Sequence, residues 1–362
     1  MRKLVTINLI DNIAPIEGAD LIETVYIKGW TCVSKKGEFT IGDKCVYFEI
    51  DSFLPIQDKY EFLRKSSYRQ LPSGNDGFRI RTTKLRGQLS QGLVLPLSLF
   101  TNIIDESIEV GMDVTDLLDV TKFEKPLSPD INKDICGHFP SFIPKTEEER
   151  IQNLPHYFNT FKDVLFEETV KYDGTSMTVF RTAHSVDNTQ TMVDDRYTGR
   201  IGCCIRNYEL KHSESNTLWK VANELNLPMI LDNENLEIAI QGELMGKGIQ
   251  GNREQLDKHT FYIFRIWDIK EKRFWTSQEK DYFINRVYTK FGISLEHVQI
   301  NHKAIDIFNQ FNNVSDLLKY AEGPSLNHKV REGLVFKSIE PVNGNIVTFK
   351  VISNKFLLKG GD

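Results

Sequence analysis

The feature that most constrains this fold is a series of short strand signals near the start: "ETVYIKGWTCVSKKG", "KCVYFEID", "GFRIRTTKLRG" and "QGLVLPL". Gly29, Gly37, Gly42-Asp43 and Pro55 punctuate them. Segments this short cannot cover a core singly, and turns at this spacing fold them back on one another. The pattern therefore predicts a small all-β barrel or sandwich over residues 1–118. Residues 119–143 carry Pro126, Pro129 and Pro140 without a clear hydrophobic period and read as a linker. From 144 to 362 the character changes to α+β. Strand patterns ("LEIAIQGEL", "TFYIFRIWDI", "EGLVFKSI", "NIVTFKVI") mix with helical ones ("NTLWKVANELN", "SQEKDYFINRVYTKFG", "KAIDIFNQF"). "IPKTEEERIQNLPHYF" is expected to open this part with a short helix capped by Thr146. A length of 362 residues gives each of two domains enough chain for its own core.

Charged residues at 26% and hydrophobic residues at 40% exclude disordered and fibrous classes. No apolar run is long enough for a bilayer and no signal-peptide pattern follows the first methionine. Cys32, Cys45, Cys136, Cys203 and Cys204 are odd in number and lack C-x-x-C spacing, so the expectation is reduced thiols in the cytoplasm or nucleus, without a zinc site. A formal net charge of -5 means that any nucleic-acid contact must be local. The one suitable patch is "LRKSSYRQLPSGNDGFRIRTTKLRG". It holds Arg64, Lys65, Arg69, Arg79, Arg81, Lys84 and Arg86, with Tyr68 and Phe78 interleaved. That composition on a barrel suits a polynucleotide, although a charge run is also what an ordinary solvated face looks like.

The second domain contains "VKYDGTS", with Lys171 just before Asp173-Gly174. Alone, a D-G pair marks a hairpin turn. A nucleophilic lysine would need more, because a free amine has a pKa of about 10.4 and must be neutral to attack. Nearby carboxylates for a metal ion and cations for phosphates would complete such a site. Alternation places Glu243 opposite the apolar face of Ile238, Ile240 and Leu244. Glu332 and Lys337 differ in strand parity, so both reach one site only through a bend or if Glu332 lies on the preceding turn. Lys350 and Arg206 supply further cations. "GELMGKGIQG" fails as a P-loop, because Gly248 follows the lysine where Ser or Thr is needed. No G-x-S-x-G elbow or histidine metal cluster competes.

With these motifs in order, "KYDGTS", "IRNYELK", "QGELMG", "FYIFRIWDI", "EGLVFK" and "FKVIS", the domain resembles the covalent nucleotidyltransferases, which comprise ATP-dependent polynucleotide ligases and mRNA capping enzymes. Thr175, Ser176 and Met177 after K-x-D-G are more like RNA ligases than DNA ligases. The first domain resembles the amino-terminal OB domain of a nick-sealing RNA ligase family. The resemblance implies an OB-like β-barrel followed by a nucleotidyltransferase domain of ATP-grasp-like antiparallel sheets with helices. It implies an ATP- and Mg²⁺-dependent enzyme, with Mn²⁺ as an alternative ion, acting as a monomer on nicked duplexes or broken RNA ends with no membrane partner. Lys171 would accept AMP, and Asp173, Glu243 and Glu332 would hold the metal through water. Phe264 would stack on adenine while main-chain groups near Thr169 and Val170 read its edge. Gly174 and Ser176 belong to the nucleotide pocket, Arg206, Lys337 and Lys350 would bind ribose or phosphates, and Arg150 would orient pyrophosphate. Two departures stand out: Ile352 replaces the second lysine of a K-x-K pair, with Lys355 at the wrong parity to substitute, and Arg265 occupies a position usually acidic. A DNA ligase and a non-catalytic RNA-binding OB protein are the alternatives.

Overall fold

The computed structural model describes residues 2–71, 74–183 and 197–359. In the first domain, Lys44–Phe48 is the middle strand between Val5–Leu9 and Leu93–Pro96, both antiparallel to it. Its two faces explain the barrel. Val46 and Phe48 enter one apolar cluster with Val5, Ile7, Phe78 and Phe100, while Cys45 and Tyr47 enter another with Val25, Trp30 and Cys32. A strand buried on both sides must be covered on both sides, which the Asn12–Pro15, Ile22–Ile27, Trp30–Lys35 meander and the Ser52–Pro55, Asp76–Arg79, Tyr68–Gln70 sheet accomplish.

The expected linker is divided between the two domains. Thr121–Lys122 pairs with Ser52–Pro55 as an edge of the first domain, and Ile135–His138 pairs with Tyr208–Leu210 as an edge of the second. These strands are too short to show a period, so the proline-rich sequence conceals them.

The second domain is two antiparallel sheets facing a cleft. The larger runs Ile135–His138, Tyr208–Leu210, Arg200–Cys204, Thr175–Thr182, Ile238–Met245, Thr260–Asp268, Arg273–Phe274, with Glu296–His297 parallel to Thr260–Asp268. The smaller runs Ile300–Ile305, Phe166–Lys171, Gly333–Ser338, Thr348–Ile352. Ser277–Phe291 is a helix as expected, stopped at each end by local chemistry: Thr276 and Glu279 form a reciprocal capping box, and Gly292 takes φ 68° at the exit. Thr217–Glu224 starts at Asn216, whose side chain accepts from the Leu218 and Trp219 amides.

Two helix expectations fail. Residues 145–149 are irregular rather than helical, because their carboxylates serve distant partners: Glu147 bonds Lys122 and Arg206, Glu148 faces Arg265, and Glu149 accepts from Asn153. In "KAIDIFNQF", the first part lies in the Ile300–Ile305 strand and only Ile307–Gln310 is helical.

The domains meet along a mixed seam. Trp30 Nε1 donates to Asn153 Oδ1 at 2.6 Å, and Gln91 Nε2 to Asn354 Oδ1 at 2.8 Å. Ile50 packs with Ile352, Phe356 and Leu357. Among the described residues, no helix is long and apolar enough to cross a membrane.

Candidate active site

The turn that follows Lys171 is not a hairpin. Phe166–Lys171 pairs inside the smaller sheet, whereas Thr175–Thr182 pairs inside the larger one, so residues 172–174 carry the chain from one sheet to the other. Lys171 therefore ends its strand at the mouth of the cleft, with Gly333 as its cross-strand partner. Glu332, immediately before that glycine, is on the turn leading into the strand, and its Oε1 lies 2.8 Å from Lys171 Nζ. Glu243 approaches from the larger sheet, where it opposes Ser176, and accepts from the Gly174 amide at 3.1 Å. Gly174 is required by space: a Cβ there would stand 2.4 Å from the Leu244 carbonyl and 2.9 Å from Glu243 Cγ.

The electrostatics describe a site crowded with acid. Burial works against the Lys171 ammonium, but Glu332 and Glu243 outweigh it and hold its pKa above the ordinary lysine value. Burial pushes Glu243 up to about 7, against the attraction of Lys171 and with the added repulsion of Glu332. Burial and then Glu332 push Asp173 up to about 6. A divalent cation among these groups would supply the missing positive charge and release the amine from its role as counter-ion. No three acidic, histidine or cysteine side chains among the described residues converge closely enough to bind an ion together directly. Asp173 in particular turns to Arg253, with Nη1 3.3 Å from its Oδ2. Arg253 also donates to the Val330 carbonyl at 3.2 Å and lies over the Phe356 ring at 4.5 Å. Sequence reasoning missed Arg253, which sits in an irregular loop without motif or period.

The expected phosphate cations separate into three groups. Arg150 and Lys350 are adjacent, joined by a parallel bridge between their backbones. Lys350 is pushed down to about 7 by burial, then by the charges of Arg150, Arg2 and Lys171. Arg150 is 6% exposed, reaches Asp51 of the first domain at 3.8 Å, and leaves Nε and Nη1 without hydrogen-bond partners. Buried cations with unused donors beside Lys171 have the chemistry an anion would satisfy. Lys337 is elsewhere. It lies opposite Glu167, towards the far end of the strand from Lys171, with Nζ 3.1 Å from that carboxylate and 3.2 Å from the Phe264 carbonyl. It does not share a site with Glu332. Arg206 is exposed and bonded to Glu147 at 2.8 Å.

Phe264 is partly buried between the sheets, as a base-stacking ring would be. Thr169 and Val170 lie on an interior strand flanked by ladders on both edges, where Val170 N donates to Gln299 O and Thr169 Oγ1 donates to Val335 O. Their main chain is thus engaged in the sheet, with a second lone pair on each carbonyl for a further donor. Ile352 is 2% exposed in the interdomain seam, an apolar role in place of a phosphate contact, and Lys355 pairs with Glu322 instead of replacing it. Arg265 faces Glu148 at 3.6 Å and lies over Phe274.

The basic run of the first domain does not form one surface. Arg79 is buried, bonded to Asp51 at 3.2 Å and stacked 4.1 Å from the Phe123 centroid. Arg64 forms a two-pronged pair with Glu61. Arg69 is half-buried, donating to the Tyr68 carbonyl, and Arg81 is half-buried. Lys65, Lys84 and Arg86 are exposed, the last two at the Thr82–Leu85, Gln88–Gln91 hairpin.

A lysine at the crossing between two antiparallel sheets, faced by carboxylates and flanked by buried cations, defines a covalent nucleotidyltransferase, here joined to an OB-like barrel. Comparison agrees for both parts: residues 4–97 match an OB-fold domain family model and residues 165–352 match the RNA ligase family model. The chain belongs to the RNA ligase family. Naegleria gruberi RNA ligase with PPi is 41% identical, over 99% of this chain and 98% of that one, with a TM-score of 0.85. A glutamate variant of the same ligase with AMP and Mn is 41% identical over 98% of both chains, also at 0.85. A lysine variant with ATP and Mn gives 40% identity over 99% of this chain and 98% of that one, at 0.85. No curated protein sequence matches.

Proposed function

We propose that this protein is an ATP-dependent RNA ligase that seals 3′-OH/5′-phosphate ends at nicks in duplexes. The observation that carries the reading is the Lys171 amine, 2.8 Å from Glu332 and faced by Glu243, next to the buried cations Arg150 and Lys350. In the first step, Lys171 gives up its ammonium protons to water and its Nζ lone pair forms the bond to the α-phosphorus of ATP as the bond to pyrophosphate breaks, leaving lysyl-AMP and pyrophosphate. Arg150 and Lys350 hold phosphate oxygens, and Phe264 holds the base. In the second step, a 5′-phosphate oxygen of the RNA attacks the same phosphorus and regenerates the amine. In the third, the 3′-OH attacks the RNA 5′-phosphorus and AMP departs. The relative's structures with ATP and Mn support nucleotide and divalent-metal use. Glu243, Glu332 and Asp173 are the residues that would hold Mg²⁺ or Mn²⁺ through water. Such an ion would stabilise charge on the α-phosphate. Free thiols at all five cysteines fit a protein working in the reducing cytoplasm or nucleus.

Incubation with ATP and Mg²⁺ should add the mass of one adenylate to the wild-type chain and none to Lys171→Ala. The adenylylated chain should then seal a nicked RNA duplex. An absent adduct contradicts the enzyme and favours a binding protein, and equal sealing of an all-DNA 3′-OH strand favours a DNA ligase.

A further inference from the structure

Arg253 stands where the connecting segments of the two sheets meet, and the reaction above gives it no part. It follows the short turn Gln250–Asn252, in the loop between the strands Ile238–Met245 and Thr260–Asp268 of the larger sheet. Its half-buried guanidinium reaches three elements. Nη1 donates to Asp173 Oδ2 at 3.3 Å, Nη2 donates to the Val330 carbonyl at 3.2 Å, and the group lies 4.5 Å over the Phe356 ring. Asp173 belongs to the segment that crosses from one sheet to the other, and Val330 stands two residues before Glu332. One planar cation therefore ties together the supports of two of the three carboxylates around Lys171.

Its neighbour repeats the link. Glu254 is buried; its Oε2 accepts from the Asn327 amide at 2.6 Å, and its carbonyl accepts from Asn327 Nδ2 at 3.0 Å. The segment from Gly323 to Arg331 has no strand or helix, and it folds on itself through Arg331 N to Gly323 O and Ser325 N to His328 O. Without a ladder to place its backbone, such a loop takes its position from side-chain contacts. Glu332, at its end, inherits that position.

We propose that Arg253 is a positioning residue for the divalent metal: it fixes the spacing between Asp173 and Glu332, so that both serve one ion through its waters. The inference rests on the reading of Asp173, Glu243 and Glu332 as the residues that hold Mg²⁺ or Mn²⁺. Charge alone would give Arg253 the opposite effect. A cation beside an ion site repels the ion, so its removal should tighten metal binding. Asp173 and Glu332 also repel each other. A guanidinium anchored on both segments holds them together, and without it they separate and binding weakens.

The sign of the effect is therefore the test. Mn²⁺ is titrated into the full chain at saturating AMP, with the free ion followed by electron paramagnetic resonance, for wild type, Arg253→Met and Arg253→Lys. Arg253→Met should raise the Mn²⁺ dissociation constant about tenfold, the lower end of the range for a group that holds a metal ligand in place. AMP affinity measured without metal should stay within about twofold of wild type, which a general distortion of the cleft would not allow. Arg253→Lys keeps the charge but reaches only one of the two segments, and should weaken Mn²⁺ at least about threefold. Tighter or unchanged Mn²⁺ binding in Arg253→Met, or an equal loss of AMP affinity, overturns the assignment. If Arg253→Met does not fold, unchanged Mn²⁺ binding in Arg253→Lys overturns it. A wild-type chain that binds no Mn²⁺ beside AMP refutes the metal reading, and one that takes up no adenylate from ATP refutes the ligase reading, each a separate outcome.

Discussion

Two sets of basic residues in this molecule look alike in sequence and have opposite fates. The seven cations from Arg64 to Arg86 fall within one short stretch, yet folding scatters them: Arg79 is buried against Asp51, Arg64 answers Glu61, and Lys84 and Arg86 reach solvent on a hairpin. Arg150 and Lys350 are far apart in the chain, yet a backbone bridge brings them side by side next to Lys171. Proximity along the chain says little about a shared surface, because successive strand residues face opposite ways. Folding gathers these two at Lys171 and leaves Arg150 with open donors, its ion pair to Asp51 being long at 3.8 Å.

The sharpest way to break this comparison is at the acidic side of the cleft. Glu332→Gln removes the hydrogen-bond partner of Lys171 and a candidate outer ligand for metal, and should lower adenylylation about 100-fold, with partial rescue by raised Mg²⁺. Quench-flow adenylylation across a Mg²⁺ series checks it, and an unchanged rate would separate Glu332 from the reaction. Arg79→Ala is next. Asp51 keeps Arg2 and Arg150 and is not orphaned, while losing the charged hydrogen bond and the ring contact costs at least about 2 kcal/mol. Denaturant unfolding should show that loss, with RNA affinity per folded molecule unchanged; a stable variant with weak RNA binding would return Arg79 to the surface patch.

The pH dependence is smaller per step and its sign is fixed. Glu243 and Asp173 hold protons below about 7 and 6, and a protonated carboxylate does not hold a cation. The Mg²⁺ concentration for half-maximal adenylylation should therefore rise as pH falls from 8 to 6, by up to about tenfold per unit for each proton displaced. A midpoint flat across that range contradicts the assignment. The smallest effect belongs to Lys84→Ala with Arg86→Ala. Adenylylation and melting temperature should stay at wild type, while nicked-duplex binding weakens several-fold and its log–log salt slope falls by roughly one per lost contact. Salt titration of binding measures this directly.

Much of this arrangement could be read from the chain alone. Lys171 ends a strand, Glu332 precedes one and Glu243 lies within one, so period two and a single turn settle their direction and a residue-by-residue reading reaches them. Arg253 could not be found that way, since it lies in a loop where Gln250, Asn252 and Gln255 all take positive φ, and its partner Asp173 is 80 residues away. Ile352 reads as a lost phosphate contact until the seam against Ile50 gives it an apolar purpose.

The central claim is that the Lys171 amine carries the nucleotide. Peptide mapping by mass spectrometry after brief incubation with ATP and Mg²⁺ tests it most directly. The account predicts one adenylate, on the peptide containing Lys171 and bound to its Nζ; an adenylate on any other residue, with Lys171 unmodified, would contradict it.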